Sequence, residues 1–313
     1  MWLRRRAGRL RYGRRTVPAS RHDADALRGL EAVPLDLPVG LELEWLGVSG
    51  YRIAYEGVAL FVDPYVSRVP LSSLLLRRSA LPDPAQLDRW AGAGGDDVAG
   101  VLVGHTHFDH AVDAPAIAHR FRAPAYGSAS LVRLMQLHGL GGLAVEVEPY
   151  RRYELGPFVV SFTPSAHSKL ILGRRVPFDG ELSCEHLHGL APSAYRCGQV
   201  WGIRIEVAGT SFYHQGSANL VDAALRNEPV DVFLAGIAGR SVTPRYWERV
   251  LPRLDPRVVV PTHYDNFFKP LGERLRFVSR VRLERVPDEI HAVSRDATLA
   301  ALPRTDADRP PVA

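Results

Sequence analysis

The sequence predicts an α+β protein in which two sheets pack face to face with helices outside. Strand-like segments come in two groups, each followed by helix-like ones, and histidines stand where strands end. No short-period repeat interrupts the chain, which leaves an echo between its two halves as the one internal symmetry to look for.

With 313 residues, 46% of them hydrophobic, the chain is long enough to bury a sizeable core without staples. No run of 18 apolar residues occurs, so no transmembrane helix is expected. The opening "MWLRRRAGRLRYGRR" is basic but lacks the apolar stretch of a secretory signal, and a cytoplasmic protein is the expectation. The net charge is +5, yet Arg4, Arg5, Arg6, Arg9, Arg11, Arg14 and Arg15 supply seven positive charges with no acid among residues 1–15. Subtracting those seven from +5 leaves the remaining residues at −2. The basicity is therefore a tail, either a solvated arm or a contact for nucleic acid or anionic lipid. Two cysteines, Cys184 and Cys197, cannot define a disulfide framework and read as thiols.

Residues 1–38 are expected to form a loosely ordered arm, 39–300 the main domain, and 301–313 a disordered tail. "LELEWLGV", "YRIAYEG" and "VALFVDPYV" read as three short strands joined by tight turns. Residues 66–97 form an insertion with some helix and much loop. "VAGVLVG" is a buried strand that leads into His105. "DAPAIAHRF" predicts a helix with Asp113 as N-cap, and "SASLVRLMQLHGL" a second, capped by Ser128 or Ser130 and ending at Gly139. Strands follow at "LAVEVEP" and "PFVVSFTP", the latter running into "SAHSK", and residues 169–198 form a second insertion. "QVWGIRIEVAG" and "TSFYHQG" make a hairpin around Ala208-Gly209, and "ANLVDAALRN" is expected to be helical. "VDVFLAGIAG" is a strand, "TPRYWERVLPRL" a helix, and "RVVVPTHYD" a last core strand ending at His263.

The stretch "GHTHFDHAVD" places His105, His107, Asp109 and His110 within six positions, in a chain that has 12 histidines in all. In an extended or tightly turned segment His105 and His107 project to one side, and Asp109 and His110 follow from the next turn. Imidazole and carboxylate together suit zinc, iron or manganese.

This H-x-H-x-D-H pattern after a buried strand resembles the metallo-β-lactamase-fold hydrolases. The resemblance runs from about residue 41 to 285 and lies nearest the branch of the L-ascorbate-phosphate lactonase and the N-acylphosphatidylethanolamine phospholipase D enzymes. It is carried by "LEWLGVSGYRIAYEGVALFVDPYV", "SAHS", "YHQGSAN" and "PTHYDNF". The fold it implies is a four-layer αββα sandwich with metals at one edge of the sheets. It further implies His105, His107 and His167 as ligands of one ion, and Asp109, His110 and His263 as ligands of a second. The branch reads "YHAGDT" where this chain reads "YHQGSA", so Ser217 replaces the aspartate that would bridge two ions. Two cations about 3.5–4 Å apart repel, and without that carboxylate the second site is expected to weaken. Asp222 and Asp265 are the alternative carboxylates, though they read more simply as a helix residue and a supporting group. His214 matches a histidine that supports rather than ligates.

The chemistry implied is hydrolysis of an ester, lactone or phosphodiester in a small or lipid-like substrate, with Asp109 and His110 as catalytic groups and zinc, or alternatively manganese or iron, as cofactor. The two insertions would frame the pocket. "SRVPLSSLLL" offers either an apolar wall or an ordinary packed stripe, and Lys169 either an anion contact or a solvated side chain. "CEHLH" with Cys197 offers either an extra soft metal site or a pocket rim. Two competing functions are a nuclease using the arginine arm, and a non-hydrolytic enzyme or binding protein with a single ion, which Ser217 would favour.

Overall fold

The computed structural model describes residues 17–92 and 95–303. The arginine run and the end of the C-terminal tail lie outside these residues. Of the first 38 residues, expected as a loose arm, Val17–Glu31 instead form helix α1. Leu27 and Leu30, three apart and so on one helical face, are buried. The Leu30 carbonyl accepts from Ala301 N at 3.0 Å, and Asp23 Oδ1 accepts from Glu284 N at 3.2 Å. Helix α1 is thus stitched to the segments around Glu284 and Ala301.

The first sheet holds β1 (Leu41–Gly47), β2 (Gly50–Tyr55), β3 (Val58–Val62), β4 (Asp97–Leu102), β5 (Ala125–Gly127) and β6 (Ala144–Glu146), side by side in that order. The second holds β7 (Arg152–Leu155), β8 (Phe158–Ser165), β9 (Val200–Val207), β10 (Thr210–Gln215), β11 (Val232–Gly236), β12 (Val258–Thr262) and β13 (Thr298–Leu299), again in chain order. Each sheet begins antiparallel and ends parallel, the change falling after β3 in one and after β10 in the other. That is the echo between the halves. The hairpin expected at Ala208-Gly209 is there, with both residues at positive φ (50° and 72°), the left-handed pair a two-residue turn requires.

Side-chain alternation sorts the core into layers. Leu60, Val62 and Leu102 face the other sheet and meet Phe158, Phe162, Ile203, Ile205 and Phe212. Their neighbours Phe61, Val101 and Val103 face outward, against Ile117, Leu131 and Leu134 of α5 (Ala114–Phe121) and α6 (Ala129–Leu137). The shorter α2 (Leu71–Leu75), α3 (Pro84–Trp90) and α4 (Phe108–Ala111) lie in the segments before α5. On the second sheet, α7 (Tyr246–Leu254) contributes Trp247, Val250 and Leu251, and α8 (Val286–His291) contributes Val286 and Ile290. The result is the αββα sandwich.

Three local expectations change. "ANLVDAALRN" forms turns, not a helix. Arg249 of α7 holds Asp222 (Nη2–Oδ2 2.6 Å), and Tyr150 donates to the Ala224 carbonyl at 2.9 Å, so tertiary bonds override the helical preference. Asp113 precedes α5 but does not cap it with its side chain. Its carboxylate accepts from Val66 N (2.6 Å), Ser67 N (2.8 Å) and the Ser67 hydroxyl, fixing the root of the 66–97 insertion. Neither Ser128 nor Ser130 caps α6 with its side chain, and Ser130 Oγ instead accepts from Leu182 N at 2.9 Å in the second insertion. In "SRVPLSSLLL", Val69 is buried, whereas Leu71, Leu75 and Leu76 are exposed.

Candidate metal centre

Strand β4 carries the chain through Val103 and Gly104 into His105, and α4 starts one residue after His107. Between the two histidines, Thr106 turns away and donates from Oγ1 to the Arg196 carbonyl at 2.6 Å, while its N–H donates to the Cys197 carbonyl at 3.0 Å. That leaves His105 and His107 on one side, with Nε2 and Nδ1 3.1 Å apart. Asp109 and His110 come from the single turn of α4. His167 lies two residues beyond β8, and His263 one beyond β12.

Three loops from two sheets thus meet. The ligand atoms of His105, His107 and His167 lie within 4.8 Å of one another, and so do those of Asp109, His110 and His263. The rings of His105 and His110 are 3.9 Å apart between centroids, so the two groups are contiguous. A third group of the same kind joins His105 and His110 to Asp63, a residue the sequence reading passed over. Asp63 directly follows β3, with φ 43°. Its Oδ1 accepts from Gly104 N at 2.6 Å and its Oδ2 from His110 Nδ1 at 2.8 Å. His263 also has positive φ (59°), and its N–H donates to the Val48 carbonyl at 2.8 Å. Two non-glycine residues held in this region at one site are strain that the surrounding bonds must enforce.

Outer partners decide which imidazole nitrogens point inward. His107 Nε2 donates to the Pro177 carbonyl at 2.8 Å, leaving the Nδ1 lone pair for the centre. His167 Nδ1 donates to the Ser168 carbonyl at 2.8 Å, leaving Nε2. His110 Nδ1 faces Asp63, leaving Nε2, which lies 4.0 Å from Asp109 Oδ2. His263 presents Nε2 to the same oxygen at 3.4 Å, while its buried Nδ1 has no hydrogen-bond partner among the described residues.

Burial, with like-charged histidine neighbours, keeps three of these imidazoles neutral. His105 falls well below the ordinary histidine value, His107 to about 4 and His167 to about 3. For Asp109, burial opposes ionisation, but His110 and His263 overcome it and hold the carboxyl below its usual range. His110 is likewise opposed by burial, and Asp63 and Asp109 raise it. A neutral imidazole with an inward lone pair and an ionised carboxylate are what a divalent cation binds, so the donor set fits a metal.

The remaining candidates separate cleanly. Ser217 Oγ accepts from Ser168 N at 3.0 Å and braces the His167 loop. A Cβ on neighbouring Gly216 would lie 2.8 Å from Asp63 Oδ2 and 2.9 Å from the His110 ring, so glycine is required there. Asp222 is taken by Arg249. Asp265 is buried against Arg68 (2.8 Å) and accepts from Val48 N at 2.9 Å, tying together the loops on either side of His263. His214 donates from Nε2 to the Ser49 carbonyl at 2.9 Å and lies 3.6 Å from Asp63, in a supporting position. Lys169 is exposed. Cys184 Sγ bonds the His186 carbonyl, Cys197 is buried with its thiol pushed up to about 12 by burial, and no metal-donor group forms there among the described residues. A cavity lined by Tyr150, Arg152, Thr163, Arg204, Glu206 and Arg226 contains none of the donors.

Two stacked sheets carrying a histidine–aspartate centre on the loops at their edge define a metallo-β-lactamase-fold protein. Residues 42–263 match the Beta-lactamase superfamily domain. A UPF0173 metal-dependent hydrolase of Carboxydothermus hydrogenoformans is 26% identical over 234 residues, covering 72% of this chain and 86% of that one. Another UPF0173 metal-dependent hydrolase, from Cereibacter sphaeroides, is 29% identical over 236 residues, covering 75% and 89%. Among solved structures, CmlA, a diiron β-hydroxylase from Streptomyces venezuelae, superposes with a TM-score of 0.54 at 14% identity, covering 86% of this chain and 54% of that one. The chain belongs to the β-lactamase superfamily, as a metal-dependent hydrolase by class.

Proposed function

We propose that the protein hydrolyses an ester, lactone or phosphodiester bond in a small or lipid-like substrate, using zinc, with manganese or iron as alternatives. The observation that carries this is the convergence of two contiguous donor groups, buried except for the half-buried His167, with inward nitrogens already fixed. His105, His107 and His167 would hold one ion, and Asp109, His110 and His263 a second. Such a cation supplies Lewis-acid polarisation of a substrate oxygen and acidifies water to a nucleophile at neutral pH. Asp109, kept ionised between two imidazoles, would orient the attacking water wherever it is not ligating a second ion. His110, held by Asp63, and His263 face the same space and offer N–H donors to a developing oxyanion wherever they are not ligating.

The test is elemental analysis of the purified protein together with turnover of a chromogenic phosphodiester and a lactone panel. His107→Ala is expected to lose bound metal and about a hundredfold or more of turnover. Turnover unchanged in that variant, or no transition metal in freshly purified protein, overturns the reading. A second reading, a one-ion non-hydrolytic enzyme, is favoured by Ser217 Oγ being bonded to the Ser168 backbone. One metal per chain with no hydrolysis across the panel would select it.

A further inference from the structure

The two insertions carry the same unexplained pattern. Residues 74–78 read LLLRR and residues 170–175 read LILGRR. In both, the apolar residues stand in solvent: Leu75 is 72% exposed, Leu76 60%, Ile171 47% and Leu172 90%. The second pattern is a tight hairpin. Ile171 N donates to the Arg175 carbonyl and Arg174 N to the Ile171 carbonyl, both at 3.0 Å, with Leu172 (φ 54°) and Gly173 (φ 69°) at the tip. Such a turn favours asparagine or glycine at both central positions. A fully presented leucine in left-handed backbone is not what folding alone would select there.

Charge surrounds both tips. Residues 66–82 and 164–178 contain no aspartate or glutamate. Arg77, Arg78, Lys169, Arg174 and Arg175 are exposed and form no ion pair among the described residues. The insertions also pack on each other, through Ala80 N to the Leu190 carbonyl (2.7 Å) and the Tyr195 hydroxyl to the Ala80 carbonyl (2.6 Å). The second is rooted at the centre: its hairpin begins two residues after His167, and Pro177 accepts from His107.

We propose that these tips dock the protein on an anionic lipid bilayer, with the 169–175 hairpin as the principal contact. Leucines enter the boundary between headgroups and acyl chains while the lysine and arginines stay with the phosphates. A second copy of the chain fits worse, because it would oppose the same unpaired cations. The inference concerns where the protein sits and is separable from whether it hydrolyses anything.

The experiment is sedimentation of the full chain with phosphatidylcholine vesicles, with and without phosphatidylserine. The wild type is expected to partition onto the anionic vesicles. The triple substitution Leu170→Ser, Ile171→Ser, Leu172→Ser should lower the partition coefficient about tenfold or more. Arg174→Glu with Arg175→Glu should do the same by charge alone. The arginine run at residues 1–15 is present in every variant, so the difference between variants reports the hairpin. Unfolding temperatures measured alongside check that these surface changes leave the fold intact. No partitioning by the wild type, equal partitioning by the serine triple, or a concentration-dependent dimer lost in that triple in place of vesicle binding, each overturns the proposal.

Discussion

Replacing Asp63 by asparagine isolates a residue that links the strand framework to the donors. The carboxylate accepts on both oxygens, from Gly104 N at 2.6 Å and from His110 Nδ1 at 2.8 Å, and is fully buried. An amide accepts on one side and donates on the other, so Asp63→Asn must fail at one of the two. If the amide oxygen stays on Gly104, the amide nitrogen faces His110. The His110 proton must then move to Nε2, the nitrogen turned toward Asp109, and the lone pair for a cation is lost. Disturbing such an outer partner costs about 10–100-fold in metal affinity, or roughly 1.4–2.8 kcal/mol. If the amide is flipped, two buried N–H donors oppose each other at Gly104, and the metal-free fold loses about 1–3 kcal/mol. Chelator-competition titration with zinc reads the first outcome, and urea unfolding of metal-free protein reads the second. Unchanged zinc affinity together with unchanged unfolding free energy would refute the assignment of Asp63 as the residue that sets the His110 tautomer.

Three further outcomes follow from the geometry. Burial raises the Asp113 carboxyl to about 6 despite its bonds to Ser67 and Val66. The folded state therefore holds this proton more tightly than the unfolded chain, and stability from this group is present below about pH 4 and lost as pH rises through 6. Asparagine can keep all three bonds while remaining neutral, so Asp113→Asn should match the wild type at pH 4 and exceed it at pH 7.5 by up to roughly 3 kcal/mol; a difference that is flat with pH contradicts this. Gly47 has φ 85°, and a Cβ there would overlap Arg68 Nη2. Gly47→Ala should break the buried Arg68–Asp265 pair and cost about 3–5 kcal/mol in chemical denaturation. Ser217→Asp should raise the metal count measured by elemental analysis toward two per chain, since a carboxylate offsets cation repulsion; an unchanged count would place the limit elsewhere.

Much of this protein is written locally. His105, His107, Asp109 and His110 are so close in the chain that a strand end and one helical turn suffice to gather them, and alternation alone puts Thr106 on the far side. The strands with long apolar runs, β4, β8, β11 and β12, are legible for the same reason: their neighbours in sequence already define which faces are buried. Helix α1 was not legible, because among the described side chains its buried apolar residues are few, chiefly Leu27 and Leu30, and its partners, Glu284 and Ala301, lie far along the chain. The 219–226 segment has helical composition, yet Arg249 and Tyr150, distant in sequence, outbid its weak local preference.

Asp63 marks the boundary between the two kinds of information. In sequence it is one aspartate after one apolar strand. The parallel pairing of β3 with β4 sets it beside Gly104, 41 residues on, and so against His110. Spacing along the chain determined the donors, because covalent geometry fixes where near neighbours point. Which tautomers those donors adopt, and what surrounds them, depended on strand pairing, because those contacts exist only once the sheets have closed.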